Sequence, residues 1–288
     1  MITKEDFQAK IAAGVHILDG ATGSNLRSAG MPKGCCTEQW VLEQPEPQVK
    51  LQRAYAEAGS QDIYAPTFQA QPIALKAVGL DAHTEKINEA LVSLSRSAAP
   101  GCLIAGDITT LATFCDSWDP ASFDLLGENY RRQIRGLIDG GADLLGGETL
   151  LYQQEAEAIL CAAELEGAGA AMYTFTMQSD GSLVSGADAG KVLHELEEAG
   201  AAAVGFNCVA ADMMTPYLVS KLRRYVKIPL ICKPNAGVPT INNDGIAVYA
   251  QTPEEFAGIV KQCKENGAAI LGGCCGTAPE YIAALKSL

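Results

Sequence analysis

A short apolar run followed by a stretch of helical spacing recurs eight times along this chain, and that recurrence leaves few folds open. The runs are VHILD at 15–19, DIYAP at 62–66, LIAGD at 103–107, DLLGGE at 143–148, AMYTFT at 171–176, AAVGFN at 202–207, PLICKP at 229–234 and AAILGG at 268–273. Each is apolar on both faces, as a parallel strand covered on both sides must be. The segments between them carry helix signals. VKLQRAYAEAG at 49–59 ends on Gly59, a C-terminal stop. NYRRQIRGLIDGGA at 129–142 places Ile134, Leu137 and Ile138 on one face. TPEEFAGIVKQCKENGA at 252–268 begins with Thr252 as N-cap, Pro253 as first helical residue and Glu255 at the capping-box position.

Strand and helix alternating eight times predict an α/β chain, a single (β/α)8 TIM barrel over 1–288, with right-handed crossovers. MITKEDFQAKIAAG adds a short polar N-terminal helix. A doubly wound open sheet is the alternative. It usually shows a glycine-rich phosphate turn after its first strand, and DGATGS lacks the GxGxxG spacing. No linker or low-complexity tract marks a second domain, and no long C-terminal arm suggests a clasped dimer, so a monomer is the default expectation.

The net charge of −13 argues against nucleic acid and an anionic membrane surface, since both need basic patches. No apolar run reaches the roughly 18 residues of a membrane span. The N-terminus lacks the apolar centre of a secretory signal, so a cytoplasmic location is expected. In that setting the ten cysteines are expected to be reduced. Cys102, Cys161, Cys232 and Cys263 lie in apolar stretches and read as core residues.

In a barrel of this kind chemistry gathers where strands end. Asp19, Asp107, Glu148, Asn207 with Cys208, Asn235, and Cys274 with Cys275 all close or follow predicted strands. Strands six and eight are near enough to bring Cys208 towards the Cys274–Cys275 pair. Gly272, Gly273 and Gly276 give the backbone freedom to turn both vicinal sulfurs inward. Three thiolates can hold zinc and leave a fourth position for an incoming thiol. Three buried cysteines without a metal remain the other reading, because neither element is a CxxC knuckle.

DGATGSNL at 19–26, APTFQAQ at 65–71, GGET at 146–149, GFNC at 205–208, KPNAGVP at 233–239 and GGCCGTAPEYI at 272–282 together resemble the homocysteine S-methyltransferase family. That family includes betaine–homocysteine and S-methylmethionine–homocysteine methyltransferases and the N-terminal domain of cobalamin-dependent methionine synthase. The resemblance covers nearly the whole chain. KPNAGVP followed by VYAQTPEEF looks closest to the methionine synthase branch. It implies a (β/α)8 barrel, zinc on Cys208, Cys274 and Cys275, and Asp19 and Glu148 holding the amino group of homocysteine. Two stretches depart from the pattern: APTF stands where TNTF is usual, and GDITTLATF where relatives often read GPTG.

The implied reaction is methyl transfer to the zinc-activated sulfur of homocysteine, giving methionine. The amides of Ala21, Thr22 and Gly23 are candidates for its carboxylate, and Asn207 for orienting a backbone or ligand group. Thr67 and Thr149 are candidate supporting hydroxyls, and Asp107 reads as a structural acid. The resemblance favours a methylated corrinoid on a separate protein as donor. Betaine or S-methylmethionine is the alternative, though cations favour aromatic walls and aromatics make up only 6% of the chain. A barrel that binds zinc and thiols without turnover is the reading from another class. His83 and His194 read as solvated, and His16 lies far from both in the chain. DAHTEK at 81–86 reads as a helix start and not a cobalamin motif. Cys35 and Cys36 read as incidental, and Trp40 and Trp118 as loop anchors.

Overall fold

The computed structural model describes residues 1–115, 119–242 and 246–288. The elements follow in the order α1 (Lys4–Ala12), β1 (His16–Ile17), α2 (Gly23–Ser28), α3 (Thr37–Glu43), α4 (Glu46–Ala58), β2 (Asp62–Tyr64), α5 (Pro72–Leu75) and α6 (Thr84–Ala98). Next come β3 (Leu103–Thr109), α7 (Pro120–Asp139), β4 (Leu144–Leu150), α8 (Gln153–Leu165), β5 (Ala171–Phe175), α9 (Ala189–Glu198), β6 (Ala203–Ala210) and α10 (Thr215–Leu222). The chain closes with β7 (Leu230–Asn235), α11 (Pro253–Glu265), β8 (Ile270–Leu271) and α12 (Pro279–Leu285). A small antiparallel hairpin, Thr240–Ile241 against Ala247–Val248, rises from the loop after β7.

The eight long-range strands pair in parallel, in the order β1-β8-β7-β6-β5-β4-β3-β2. The seam between β1 and β2 is joined by fewer bonds. Gln61 N–H donates to Ile17 O at 2.7 Å, and Ile17 N–H donates to Gln61 Oε1 at 3.0 Å. The result is the expected (β/α)8 barrel, with each apolar run forming one strand. The helix signals act as read. Gly59 ends α4 in the left-handed region at φ 114, and Thr252 and Glu255 form the capping box of α11.

Two apolar layers hold the barrel. The larger lies between strands and outer helices, with Ile134 and Leu137 of α7 fully buried in it. The smaller fills the N-terminal end of the cylinder. There α1 packs Phe7 and Ile11 against Leu18, Tyr64, Ala105, Met172 and Ile231. Ile2 fastens that helix across the floor, donating to Asp143 O at 2.8 Å and accepting from Ala170 N at 2.9 Å. His16 and Asp62, 2.8 Å apart and buried, sit at this closed end and not at the rim.

Two expectations need correction. Trp40 lies within α3, not on a loop, and is buried against Leu26, Val41 and Leu91. Cys161 is exposed, because it falls on the outer face of α8, whose inner face is set by Ala158, Ile159 and Ala162. Asp107 is buried at the end of β3, and its Oδ1 has no hydrogen-bond partner. Trp118 lies outside the described residues. Among the described residues no helix is long and apolar enough to cross a membrane.

Candidate functional site

The sulfurs of Cys208, Cys274 and Cys275 all lie within 4.8 Å of one another. Cys208 Sγ is 2.8 Å from Cys274 Sγ and 3.9 Å from Cys275 Sγ. Tetrahedral zinc with Zn–S bonds of about 2.3 Å places its sulfurs about 3.8 Å apart, so the trio fits such an ion with small side-chain shifts. Cys208, Cys274 and Cys275 are free of disulfides. Cys275 is the readiest thiolate of the trio, because its sulfur accepts from Cys208 and Cys274.

Local backbone explains how adjacent cysteines serve one point. Cys274 N–H donates to Pro234 O at 2.7 Å and Cys275 O accepts from Ala236 N at 3.0 Å, which pins the turn to the end of β7. Gly273 has no room for a side chain: a Cβ there would lie 2.4 Å from Thr277 Oγ1. Gly276 turns the chain at φ +82, and a Cβ there would meet the Tyr249 ring at 2.3 Å. That packing carries Tyr249 to the site, where its hydroxyl donates to Cys275.

On the opposite side, Cys208 (φ 55) and Thr149 (φ 59) are the two non-glycine residues with positive φ among those described. Such a conformation is strained for a β-branched threonine. Asn207 holds the strain in place. Its Oδ1 accepts from Thr149 N at 2.9 Å, its Nδ2 donates to Thr149 Oγ1 at 2.6 Å, and Nδ2 lies 3.6 Å from Cys274 Sγ.

The acids lie below the sulfurs. Asp19 is 1% exposed, Asp107 6% and Glu148 7%. Between Asp19 and Glu148 stands a residue absent from the sequence-based candidates. Lys233 Nζ is 2.5 Å from Glu148 Oε1, 3.6 Å from Asp19 Oδ1, and 4.2 Å above the centroid of the Tyr64 ring. Its signal was in plain sight, a lysine inside the apolar run PLICKP. Burial works against its charge, yet Glu148 and Asp19 hold the ammonium pKa well above its ordinary value. Burial likewise raises Asp19 to about 7, opposed by Lys233 and by the amide of Tyr64, which donates to Asp19 Oδ2 at 2.9 Å. Burial also raises Glu148, against the pull of Lys233.

Ala21 N–H is already engaged, donating to Thr277 Oγ1 at 3.2 Å. Thr22 and Gly23 open α2, a helix of six residues, beside it. Thr67 bonds the backbone of Asp107 and not a ligand position. Cys36 caps α3 and lies 3.3 Å from Glu38, and Cys35 is exposed, both far along the chain from the thiol trio. His83 and His194 are exposed.

Fold and site define a (β/α)8 barrel with a three-thiol, metal-competent centre at its C-terminal rim. Comparison with known proteins gives that class a family. The model of the homocysteine S-methyltransferase family matches residues 16–288, and the chain belongs to that family. It is 28% identical to homocysteine S-methyltransferase of Escherichia coli strain K12 over 299 residues, 95% of this chain and 94% of that protein. It is 26% identical to methionine synthase of Mycobacterium leprae over 304 residues, 96% of this chain but only 24% of that protein. The chain thus spans about a quarter of the length of the mycobacterial relative. The crystal structure of the E. coli homocysteine methyltransferase MmuM in its metallated form superposes with a TM-score of 0.81 at 28% identity, covering 95% of this chain and 96% of that one.

Proposed function

We propose that this chain is a zinc-dependent homocysteine S-methyltransferase that forms methionine, with a methylated corrinoid on a separate protein as donor. The meeting of three thiol sulfurs within 4.8 Å, above a buried acidic group, carries this reading. Cys208, Cys274 and Cys275 would hold zinc, which when bound supplies the Lewis acidity that keeps an acceptor thiol deprotonated near neutral pH.

The chain's own residues do the rest. Asn207 and the Gly273–Gly276 turn fix the sulfurs before any ligand arrives, so that little reorganisation remains. We assign the acceptor's ammonium to the acidic group built around Asp19 and Glu148. We assign its carboxylate to the amides of Thr22 and Gly23, leaving Ala21 to hold the turn with Thr277. The acceptor sulfur then lies at the rim, facing outward to the methyl donor.

The donor assignment is supported by the rim itself. Met213 on the loop after β6, Tyr217 early in α10, Val238 on the loop after β7 and Ile241 in the hairpin that rises from it are 78%, 59%, 67% and 69% exposed. An apolar collar of that kind suits a donor carried on another protein's surface. Amino acids 1–288 are read as one catalytic unit of this kind. The deciding assay measures methionine formation by the zinc-loaded protein with three donors: a methylated corrinoid protein, S-methylmethionine and betaine. Turnover with the corrinoid protein alone is expected. Turnover with a small onium compound would move the donor assignment, and no turnover with any of them would favour a thiol-binding barrel without catalysis.

A further inference from the structure

One buried acid stands apart from those beneath the sulfurs. Glu155 is the third residue of α8, and its side chain is fully buried. Both of its oxygens are occupied. Oε2 accepts from the amides of Leu151 at 3.0 Å and Tyr152 at 3.2 Å, on the loop after β4. Oε1 accepts from Thr110 Oγ1 at 2.6 Å and from the amide of Leu111 at 2.7 Å, on the loop after β3. Capping the first turn of α8 accounts for the Oε2 pair alone. The Oε1 pair reaches a different rim loop, 45 and 44 residues earlier in the chain.

The two loops so joined border the thiol centre. Leu151 closely follows Thr149, the strained residue clasped by Asn207, whose Oγ1 lies 3.9 Å from Cys208 Sγ. Across the bridge, Thr110 Oγ1 accepts from the amide of Ala112 at 3.1 Å, and Leu111 O accepts from the amide of Phe114 at 2.9 Å. The turn that Glu155 holds therefore carries Phe114 at the rim, 42% exposed. It belongs to GDITTLATF, one of the two stretches that depart from the family pattern. On the proposed chemistry the acceptor sulfur faces outward from the barrel, so a donor meets it over these loops.

We propose that Glu155 is a positioning residue for methyl transfer: its carboxylate ties the loop after β3 to the turn at Thr149, and so fixes the Phe114-bearing wall that the methyl donor meets beside the sulfurs. This rests on the thiol-methylation reading above. Leu111, Leu151 and Tyr152 present N–H groups, which can only donate, so both oxygens must accept. A glutamine keeps one acceptor. Turned towards Leu151 and Tyr152, that oxygen still caps α8, but the NH2 then meets the Leu111 N–H and the loop after β3 comes free. The opposite orientation sets the NH2 against two amides and is disfavoured.

Glu155→Gln in the zinc-loaded, full-length protein tests this by three readouts. Hydrogen exchange of peptides covering 109–115 should quicken at least about tenfold, while 149–153 stays within about twofold of the wild type. Homocysteine affinity by calorimetry should change less than about twofold, while kcat/KM for the donor that supports wild-type turnover falls at least about tenfold. Thr110→Val removes one Oε1 bond and leaves the cap alone; it should show the same split at about threefold or more, and add less than about twofold to Glu155→Gln in the double variant. It carries the test by itself should Glu155→Gln not fold. Unquickened exchange over 109–115, unchanged donor kcat/KM, or equal losses of homocysteine affinity and donor kcat/KM overturns the positioning role alone. If the wild type transfers no methyl group to homocysteine from any donor, the methylation reading falls and takes this inference with it.

Discussion

Asn207 on β6 and Thr149 on β4 clasp each other by two hydrogen bonds that reach across the intervening strand β5. The clasp fixes two residues in the left-handed region, Thr149 itself and Cys208 next to Asn207. Each such residue costs about 1–3 kcal/mol, sustained only where surroundings dictate the conformation. The strained backbone sets where one of the three sulfurs points.

Asn207→Ala should therefore weaken zinc binding about 10–100-fold, as loss of a supporting partner commonly does. Competition with a chromophoric chelator would measure it. Unchanged zinc affinity would mean that the sulfur positions do not depend on the clasp.

Cys275→Ala is expected to lose stoichiometric zinc and all methyl transfer, read by metal analysis and methionine formation on the same sample. Activity that persists without zinc would remove the metal from the mechanism.

Glu148→Gln keeps the shape of the side chain and removes its charge. Homocysteine KM should rise at least about tenfold, the worth of one charge-assisted bond of about 1.5–3 kcal/mol, while zinc content stays intact. Parallel loss of zinc would make Glu148 a structural support.

Lys233→Met strips two buried carboxylates of their counter-cation. Removing one partner of such a buried set costs about 3–5 kcal/mol, which urea unfolding would report. A cost near zero would show that the carboxyls simply take up protons and that the lysine is dispensable to the fold.

Stability should also fall as pH rises. Asp19 has a folded pKa of about 7 against 3.8 for a free carboxyl, raised by burial. The folded chain thus holds a proton that the unfolded chain releases. Its contribution is full below pH 3.8 and is lost as pH climbs through about 7. Urea midpoints of the metal-free protein should decline between those limits, and Asp19→Asn should flatten the decline. A slope of the opposite sign would contradict the burial argument.

The fold was legible because periodicity and caps are local. Thr252 and Glu255 announce α11 within four residues, and eight both-sides-apolar runs cannot be satisfied by an open antiparallel sheet. The thiol trio was legible because its glycines are specific to the turn. What stayed hidden depends on three-dimensional pairing. Lys233 is an odd residue in PLICKP, but only the register of β7 shows that it stands between strands one and four. Asp107 reads like any acid at a strand end until its unpartnered oxygen is seen. Cys161 and Trp40 went wrong because composition does not say which face of a helix is covered.

The plug formed by Phe7 and Ile11 of α1 across the floor of the cylinder has a kinetic meaning. With one end stoppered, both reactants use a single doorway, and the deeper one must arrive first. On the proposed chemistry, turnover is a last-out queue: spent donor departs, and only then does methionine escape. Methionine should therefore compete with the acceptor and not with the donor in product-inhibition kinetics; the reverse pattern would require a second route through the barrel.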